Sequence, residues 1–512
     1  MTFEAARQAF VSNDLASAEH LCRAIVTAEP KNVLPWTLLC EIALRRNDGR
    51  TALSCAEQAV RLDPNHLLAR VVHAKTCLIL GDLAAALETA EAGERIGNAP
   101  AEALDGLGAI FGMLGRHRKA LDLFRRAVAA RPGMPQFLFN LAATERMLGA
   151  LAESETHCDT AIARDRHHYL THYLRSDLRE QTQAHNHIAE METLIRDGAR
   201  HWQGEVLLRF ALSKEYDDLG DHANSFRQIK AGADLQRRNM NYDVRADIAI
   251  IDHAINTQTS SWLTSLPPGY RDAEPIFVVG LPRSGTTVVE RIVASHSAIV
   301  SAGETGVFPM QIARAMREPA RAFNLNPAET GRRYVETAAV LAAGNASRSL
   351  DKTLQNYLCC GFIHAALPRD KIILVRRHPL DTCFALYRAH FQGAFRFSYE
   401  LAELGEYYLA FRRLARHWQS ILPTNAFLEI SYDDIVRGQQ GESRRIMEFL
   451  DLSWEDQVLR FHESSAPSAT ASAVQIRRPL YTSSMGKWRH HAKELEPLRE
   501  ILVREISEDE LR

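Results

Sequence analysis

Apolar residues recur at helical spacing through the first third of the chain, and the pattern itself then recurs. Pro30, Pro64, Pro132 and Arg166 fall on one 34-residue grid, as do Gly81, Gly115 and Gly149, and as do Ala18, Ala52, Ala86 and Ala120. Self-similarity at that period predicts an all-α solenoid of helix pairs, each burying its apolar face against its neighbours. The clearest unit is AEALDGLGAIFGMLGRHRKALDLFRRAVAARPGM, residues 101–134. Two amphipathic helices meet at Leu114-Gly115-Arg116. Leu104, Leu107, Phe111 and Phe124 fill the space between them, Gly108 and Ala120 are small where they approach, and Pro132 ends the second. The grid is regular to about residue 166 and irregular over 167–204, and LGDHANSFRQIKAGADLQRR (219–238) reads as the end of one more unit.

Past residue 240 the period changes. A helical stretch leads into LPPGYRDAEP (266–275), a proline- and glycine-containing hinge, which gives expected boundaries of 1–240 for the helical domain, 241–272 for a linker and 273–512 for a second domain. PIFVVG (275–280), KIILV (371–375) and AFLEI (426–430) are apolar on both faces, as strands of a buried parallel sheet are. Helical stretches such as GEYYLAFRRLARHWQSIL (405–422) lie between them. The fold class is therefore an α solenoid followed by an α/β domain with a central parallel sheet.

Composition narrows the function. Apolar residues make up 46% and charged residues 24%, and the net charge of −2 gives no global attraction to nucleic acid or membrane, so any basic site is local and no nucleic-acid partner is expected. The start, MTFEAARQAFVSNDLA, lacks a charged-then-apolar signal pattern and no long apolar run follows, so a cytoplasmic chain without a transmembrane segment is expected. The eight cysteines are dispersed with no CxxC pair, which points to reduced core thiols.

The chemistry concentrates at VVGLPRSGTTVVERIVASH (278–296). A buried strand runs into a glycine turn and a helix is expected from near Ser284, so the N–H groups of residues 284–287 and the helix dipole would hold an anion. Gly285 lets the backbone approach, Thr286 and Thr287 offer hydroxyls, and Arg283 supplies charge. Gly280 and Gly285 have the spacing of a nucleotide-hydrolysing P-loop, but Thr286 stands where that motif has its lysine. This disfavours a P-loop kinase, and no metal is expected at the turn.

Two resemblances follow. Leu107-Gly108-x-x-Phe111, Ala120-x-x-x-Phe124, Ala127, Pro132 and Trp36 resemble the tetratricopeptide repeat, which implies an array that binds an acceptor or a protein or peptide partner, or supports a homodimer. PRSGTT resembles the 5′-phosphosulfate loop of sulfotransferases that use 3′-phosphoadenosine-5′-phosphosulfate (PAPS). LVRRHPLDTCFALY (374–387) resembles that family's 3′-phosphate segment, EISYDDIV (429–436) its strand-Tyr-acidic stretch, and TASAVQIRRPLYTSSMGKW (470–488) its nucleotide-covering segment. The likeness spans 275–495 in the expected order.

It implies transfer of a sulfuryl group from PAPS to a hydroxyl acceptor, with protein tyrosine one candidate. Glu304, in VSAGETGVFP (300–309), has the spacing of the base in tyrosylprotein sulfotransferases, and Lys352, in SLDKTL (349–354) after a short strand, matches the lysine that reaches the bridging oxygen. Arg377, with Arg376 beside it, would bind the 3′-phosphate; Tyr432, Ser472, Arg478 and Lys487 complete the nucleotide site, within a basic run from Arg477 to Lys493. Trp488 is expected to pack, and His296, His378 and His390 to be structural. The chain departs from the family at three places: Leu354 replaces a frequent proline, Gly306 replaces an arginine that holds peptide acceptors, and Ala385 replaces a serine, with Cys383 or Tyr387 as substitute donors. The alternative that Ala385 keeps open is a non-catalytic repeat scaffold with a relic nucleotide fold.

Overall fold

The computed structural model describes residues 2–97, 99–311, 326–342, 347–464, 466–468, 474–482 and 485–512. Packing divides it into two compact units, Met1–Glu145 and Arg146–Arg512.

In the first unit the grid becomes helix pairs: Phe3–Val11 with Leu15–Ala28, Val33–Arg45 with Gly49–Leu62, Leu67–Leu80 with Leu83–Glu94, and Ala101–Met113 with His117–Ala130. All four grid alanines are wholly buried. A Cβ added at Gly108 would stand 2.8 Å from a Phe124 ring carbon, so only glycine permits that helix contact. Asp14, Asp48 and Asp82 share the 34-residue spacing, and each caps the second helix of its pair by accepting from the amide three residues on. Such a cap contributes about 1 kcal/mol.

The second unit begins with helices Leu151–Arg164, Tyr169–Asp177 and Ile188–Arg196, followed by the pair Trp202–Asp218 and His222–Arg238 that the 219–238 pattern indicated. LPPGYRDAEP runs without regular structure and is pinned where the Tyr270 amide donates to Ala366 O at 2.8 Å. Then come β1 (Ile276–Val279), β2 (Ile299–Gly303), β3 (Arg348–Asp351), β4 (Lys371–Arg376) and β5 (Phe427–Ser431). They form one sheet in the order β2-β3-β1-β4-β5, parallel at every pairing.

Alternate side chains of β1 and β4 enter two cores. Ile276, Val278, Ile373 and Val375 pack with Val289 and Ile292 of the Thr286–Ala294 helix. Phe277, Val279, Ile372 and Leu374 pack with Trp418 of the Leu401–Ile421 helix in a core that also holds Phe210 and Phe226 from the preceding helix pair. Burial on both faces is why β1 and β4 read as continuous apolar runs, whereas β5, at the sheet edge, carries Glu429. IVSAG and RSLD, the sequences of β2 and β3, are short, the first ending in small residues and the second largely polar, and carry a weaker signal. All eight cysteines are buried free thiols, and no described helix is long and apolar enough to cross a membrane.

Candidate functional site

A parallel sheet aims all its carboxyl ends at one edge, and here every strand delivers a residue singled out in the sequence. Across the sheet, Glu304 follows β2, Lys352 follows β3, the 280–287 turn follows β1, Arg377 follows β4 and Tyr432 follows β5. Neighbouring strands lie about 4.8 Å apart, which sets the acid and the lysine within two strand steps of the turn on one side. Arg377 and Tyr432 flank it equally on the other.

The turn owes its shape to three residues with positive φ: Gly280 (152°), Arg283 (66°) and Gly285 (103°). A Cβ at Gly285 would stand 2.3 Å from Tyr432 Cδ2, so the loop backbone rests directly on that ring. Arg283 is a non-glycine residue in left-handed conformation, a strain of order 1 kcal/mol that folded structures keep mainly at functional sites. Its carbonyl accepts from Arg377 Nη1 at 3.3 Å, which links the loop to the end of β4.

The helix starts at Thr286, later than the sequence indicated, and Ser284 turns inward: its amide and hydroxyl both donate to Leu281 O, at 3.3 and 2.8 Å. The amides of Gly285, Thr286 and Thr287 find no acceptor among the described residues, and neither threonine hydroxyl makes a hydrogen bond there. Three free donors at a helix N-terminus constitute an anion cradle.

Positive charge gathers beside the cradle. Burial draws Arg283 below the usual arginine range; Asp177 opposes this, while Arg377 and Arg388 add to it. Burial likewise lowers Lys487; Arg388 and Arg377 push it in the same direction, while Asp217 and Asp218 oppose them. Arg283, Arg377, Arg388 and Lys487, interleaved with Asp177, Asp217 and Asp381, stand beside unbonded amides and suit a ligand with several anionic groups. Arg377 lies over the Tyr432 ring at 5.2 Å and 3.9 Å from Asp381. Asp381 accepts from the amides of Gly486 and Trp488, at 2.6 and 3.3 Å, and so ties the C-terminal segment to the site. Trp488 packs by stacking on His378 at 5.6 Å.

On the other flank, Lys352 Nζ contacts Glu304 Oε1 directly. The lysine side chain is 3% exposed and that of the glutamate 52% exposed, so the ammonium is fixed and the carboxylate can meet an incoming group. Beneath them lies Asp351, wholly buried, accepting from Thr305 Oγ1 at 2.5 Å and the Thr353 amide at 2.6 Å. Burial pushes its carboxyl up, and these bonds oppose the shift. Thr353 Oγ1 in turn accepts from the Gly306 amide at 3.1 Å, so the ends of β2 and β3 are knitted together.

Some residues singled out in the sequence lie elsewhere. Arg376 pairs with Glu429 at 2.7 Å. Arg478 is exposed, 3.9 Å from Glu180, and acts on Tyr481 together with Arg283 and Arg377, at the margin of the site. Ser472 lies outside the described residues. Cys383 and Tyr387 belong to the apolar core, so neither takes the role of the serine missing at Ala385. His296 is satisfied by Ser453 O and the Ala298 amide, while burial among Tyr173, Phe210 and Tyr399 pushes His390 down to about 4.

The sequence reading missed Asp351, Arg388 and Asp217. Arg388 Nη2 reaches Asp217 Oδ2 at 2.7 Å, and Lys487 Nζ lies 3.9 Å from the same oxygen. The clue to Asp351 was the threonine two residues on, the Asx-turn pattern of a carboxylate that bonds its own backbone.

Comparison with known proteins followed the same division. Residues 275–456 match the model of the sulfotransferase family, and residues 38–102 and 111–168 that of the tetratricopeptide repeat. An uncharacterized protein of Aquifex aeolicus (strain VF5) is 29% identical over 332 residues, covering 62% of this chain and 44% of that one. Protein-tyrosine sulfotransferase A of Caenorhabditis elegans is 24% identical over 241 residues, covering 43% of this chain and 62% of its own. The chain thus spans less than two thirds of the length of these relatives. The solved sulfotransferase domain of the Synechococcus PCC 7002 olefin synthase is 13% identical with a TM-score of 0.33, covering 46% of this chain and 97% of that one.

Proposed function

This chain carries a sulfotransferase-family domain joined to tetratricopeptide repeats, and from that premise we propose that it transfers a sulfuryl group from PAPS to a hydroxyl acceptor. The observation that carries the reading is the order along the sheet edge: carboxylate, ammonium, anion cradle, arginine, tyrosine. A nucleotide with phosphates at both ends of its ribose fits that order, its 5′ end at the cradle and its 3′-phosphate at Arg377 and Arg388.

When bound, the donor supplies an activated sulfuryl group. The amides of residues 285–287 and Arg283 hold its 5′ end. Glu304 takes the proton from the acceptor hydroxyl as the oxygen attacks, and Lys352 meets the charge that develops on the departing oxygen. Their direct contact and the Asp351 network below keep the two groups in register, so positioning and electrostatics do most of the catalysis. The name of the C. elegans relative makes protein tyrosine the first acceptor to try, and the repeats would present a protein or peptide.

The test is calorimetry with 3′-phosphoadenosine-5′-phosphate (PAP), together with labelled PAPS offered to peptides, glycans and small phenols. Wild type should bind PAP and label one acceptor class, and Glu304→Ala should keep the binding and lose the turnover. Absence of PAP binding would favour a repeat scaffold, and magnesium-dependent ATP turnover a kinase.

A further inference from the structure

Away from the sheet edge, the second unit gathers a different set of ligating groups. Glu155, on the Leu151–Arg164 helix, faces His185 and His187 on the irregular connection between the short helices Tyr169–Asp177 and Ile188–Arg196. One ligand atom from each lies within 4.8 Å of the other two, with His185 Nε2 and Glu155 Oε1 3.9 Å apart. Tetrahedral zinc holds nitrogen and oxygen ligands about 3.4 Å from one another, so modest side-chain rotation closes the set. The main chain at His185 is already held, because Thr182 and His185 exchange main-chain hydrogen bonds of 3.0 Å in each direction.

A second observation points to a cation. Behind His187 lies Glu215, whose side chain has no exposure; its carboxylate accepts from the His187 amide at 2.6 Å and meets His187 Nδ1 at 3.0 Å. These two bonds fix the His187 ring with Nδ1 turned to the carboxylate, which leaves Nε2 as its ligating nitrogen. An imidazole that carries a metal on Nε2 and donates Nδ1–H to a carboxylate is the usual arrangement around protein-bound zinc. The existing partner of Glu155 is poorly seated: Arg179 Nη2 is 2.8 Å away, yet that nitrogen and Nε are buried without a hydrogen bond. The other such group, Asp217, His222 and His491, is more heavily countered, with Arg388 and Lys487 both within 3.9 Å of one Asp217 oxygen, whereas Glu155 meets one guanidinium, that of Arg179.

We infer that Glu155, His185 and His187 bind one divalent transition-metal ion of the zinc class, with Glu215 orienting His187. Two carboxylates balance its charge, and water fills the fourth position. The metal staples the irregular connection to the Leu151–Arg164 helix and makes part of the folding free energy depend on its binding.

The experiment uses untagged full-length protein stripped with a chelator, titrated with zinc in a calorimeter while bound metal is counted by atomic absorption. Wild type should bind one equivalent. His185→Ala, at an exposed side chain that folding does not need, and His187→Ala should each weaken binding at least about tenfold, whereas His222→Ala should not. No stoichiometric binding by wild type, or wild-type affinity in His185→Ala, overturns the proposal.

Discussion

Replacing Lys352 with methionine keeps the volume of a side chain that is 3% exposed and removes only its charge. The released carboxylate of Glu304, 52% exposed, returns to water. A pair with one member in solvent contributes about 0–1 kcal/mol, and burying an ammonium has its own desolvation cost, so unfolding free energy should change by less than about 1 kcal/mol. Catalysis should respond differently. A preorganised group that acts on charge present only in the transition state is worth about 3–4 kcal/mol, or roughly 10²–10³ in kcat. Because the ground state hardly uses it, KM for PAPS and the affinity for PAP should stay near wild type. Single-turnover transfer from labelled PAPS gives the rate, calorimetry the affinity, and thermal melting the stability. A variant with near-wild-type kcat, or one whose whole loss lies in KM, would refute the assignment of Lys352 to the departing oxygen.

Gly285→Ala places a methyl 2.3 Å from Tyr432 Cδ2 at φ 103°, so it should cost about 1–3 kcal/mol of stability and weaken PAP binding more than tenfold; unchanged calorimetry would separate the cradle from the nucleotide. Ala385→Ser adds one hydroxyl beside Arg388, and a bond to a charged phosphate should tighten PAP about tenfold while leaving adenosine-5′-phosphosulfate unaffected. Burial pushes His390 and His491 down from 6.5 to about 4, so the folded chain binds fewer protons than the unfolded chain between those values. Stability should therefore be full above pH 6.5 and fall as the pH drops toward 4; a thermal midpoint that stays flat over that range would contradict it.

How much was legible follows from where each residue gets its meaning. The repeat grid could be read because every unit solves the same packing problem, so Ala18, Ala52, Ala86 and Ala120 announce one buried position. β1 and β4 declare themselves by burial on both faces; β2 and β3, with Ser301, Arg348 and Ser349, do not. The anion turn was visible as local chemistry, yet Ser284 folding back on Leu281 depends on the torsions of Arg283 and Gly285. Asp351 and Arg388 stayed hidden because a lone acid or base in sequence looks like solvent-facing charge; only the buried threonines around one and Asp217 beside the other give them a role. Asp217 sits 171 residues from Arg388, beyond any local pattern.

Phe210 meets Tyr399 at 6.2 Å and Phe226 meets Tyr387 at 6.1 Å, so the Trp202–Asp218 and His222–Arg238 helices share the interior of the sheet domain. A fragment begun at the proline-containing stretch would strip those rings of their cover and invite aggregation. The smallest portable module starts at Arg146, and anyone who lengthens, shortens or exchanges the array has freedom only upstream of that point.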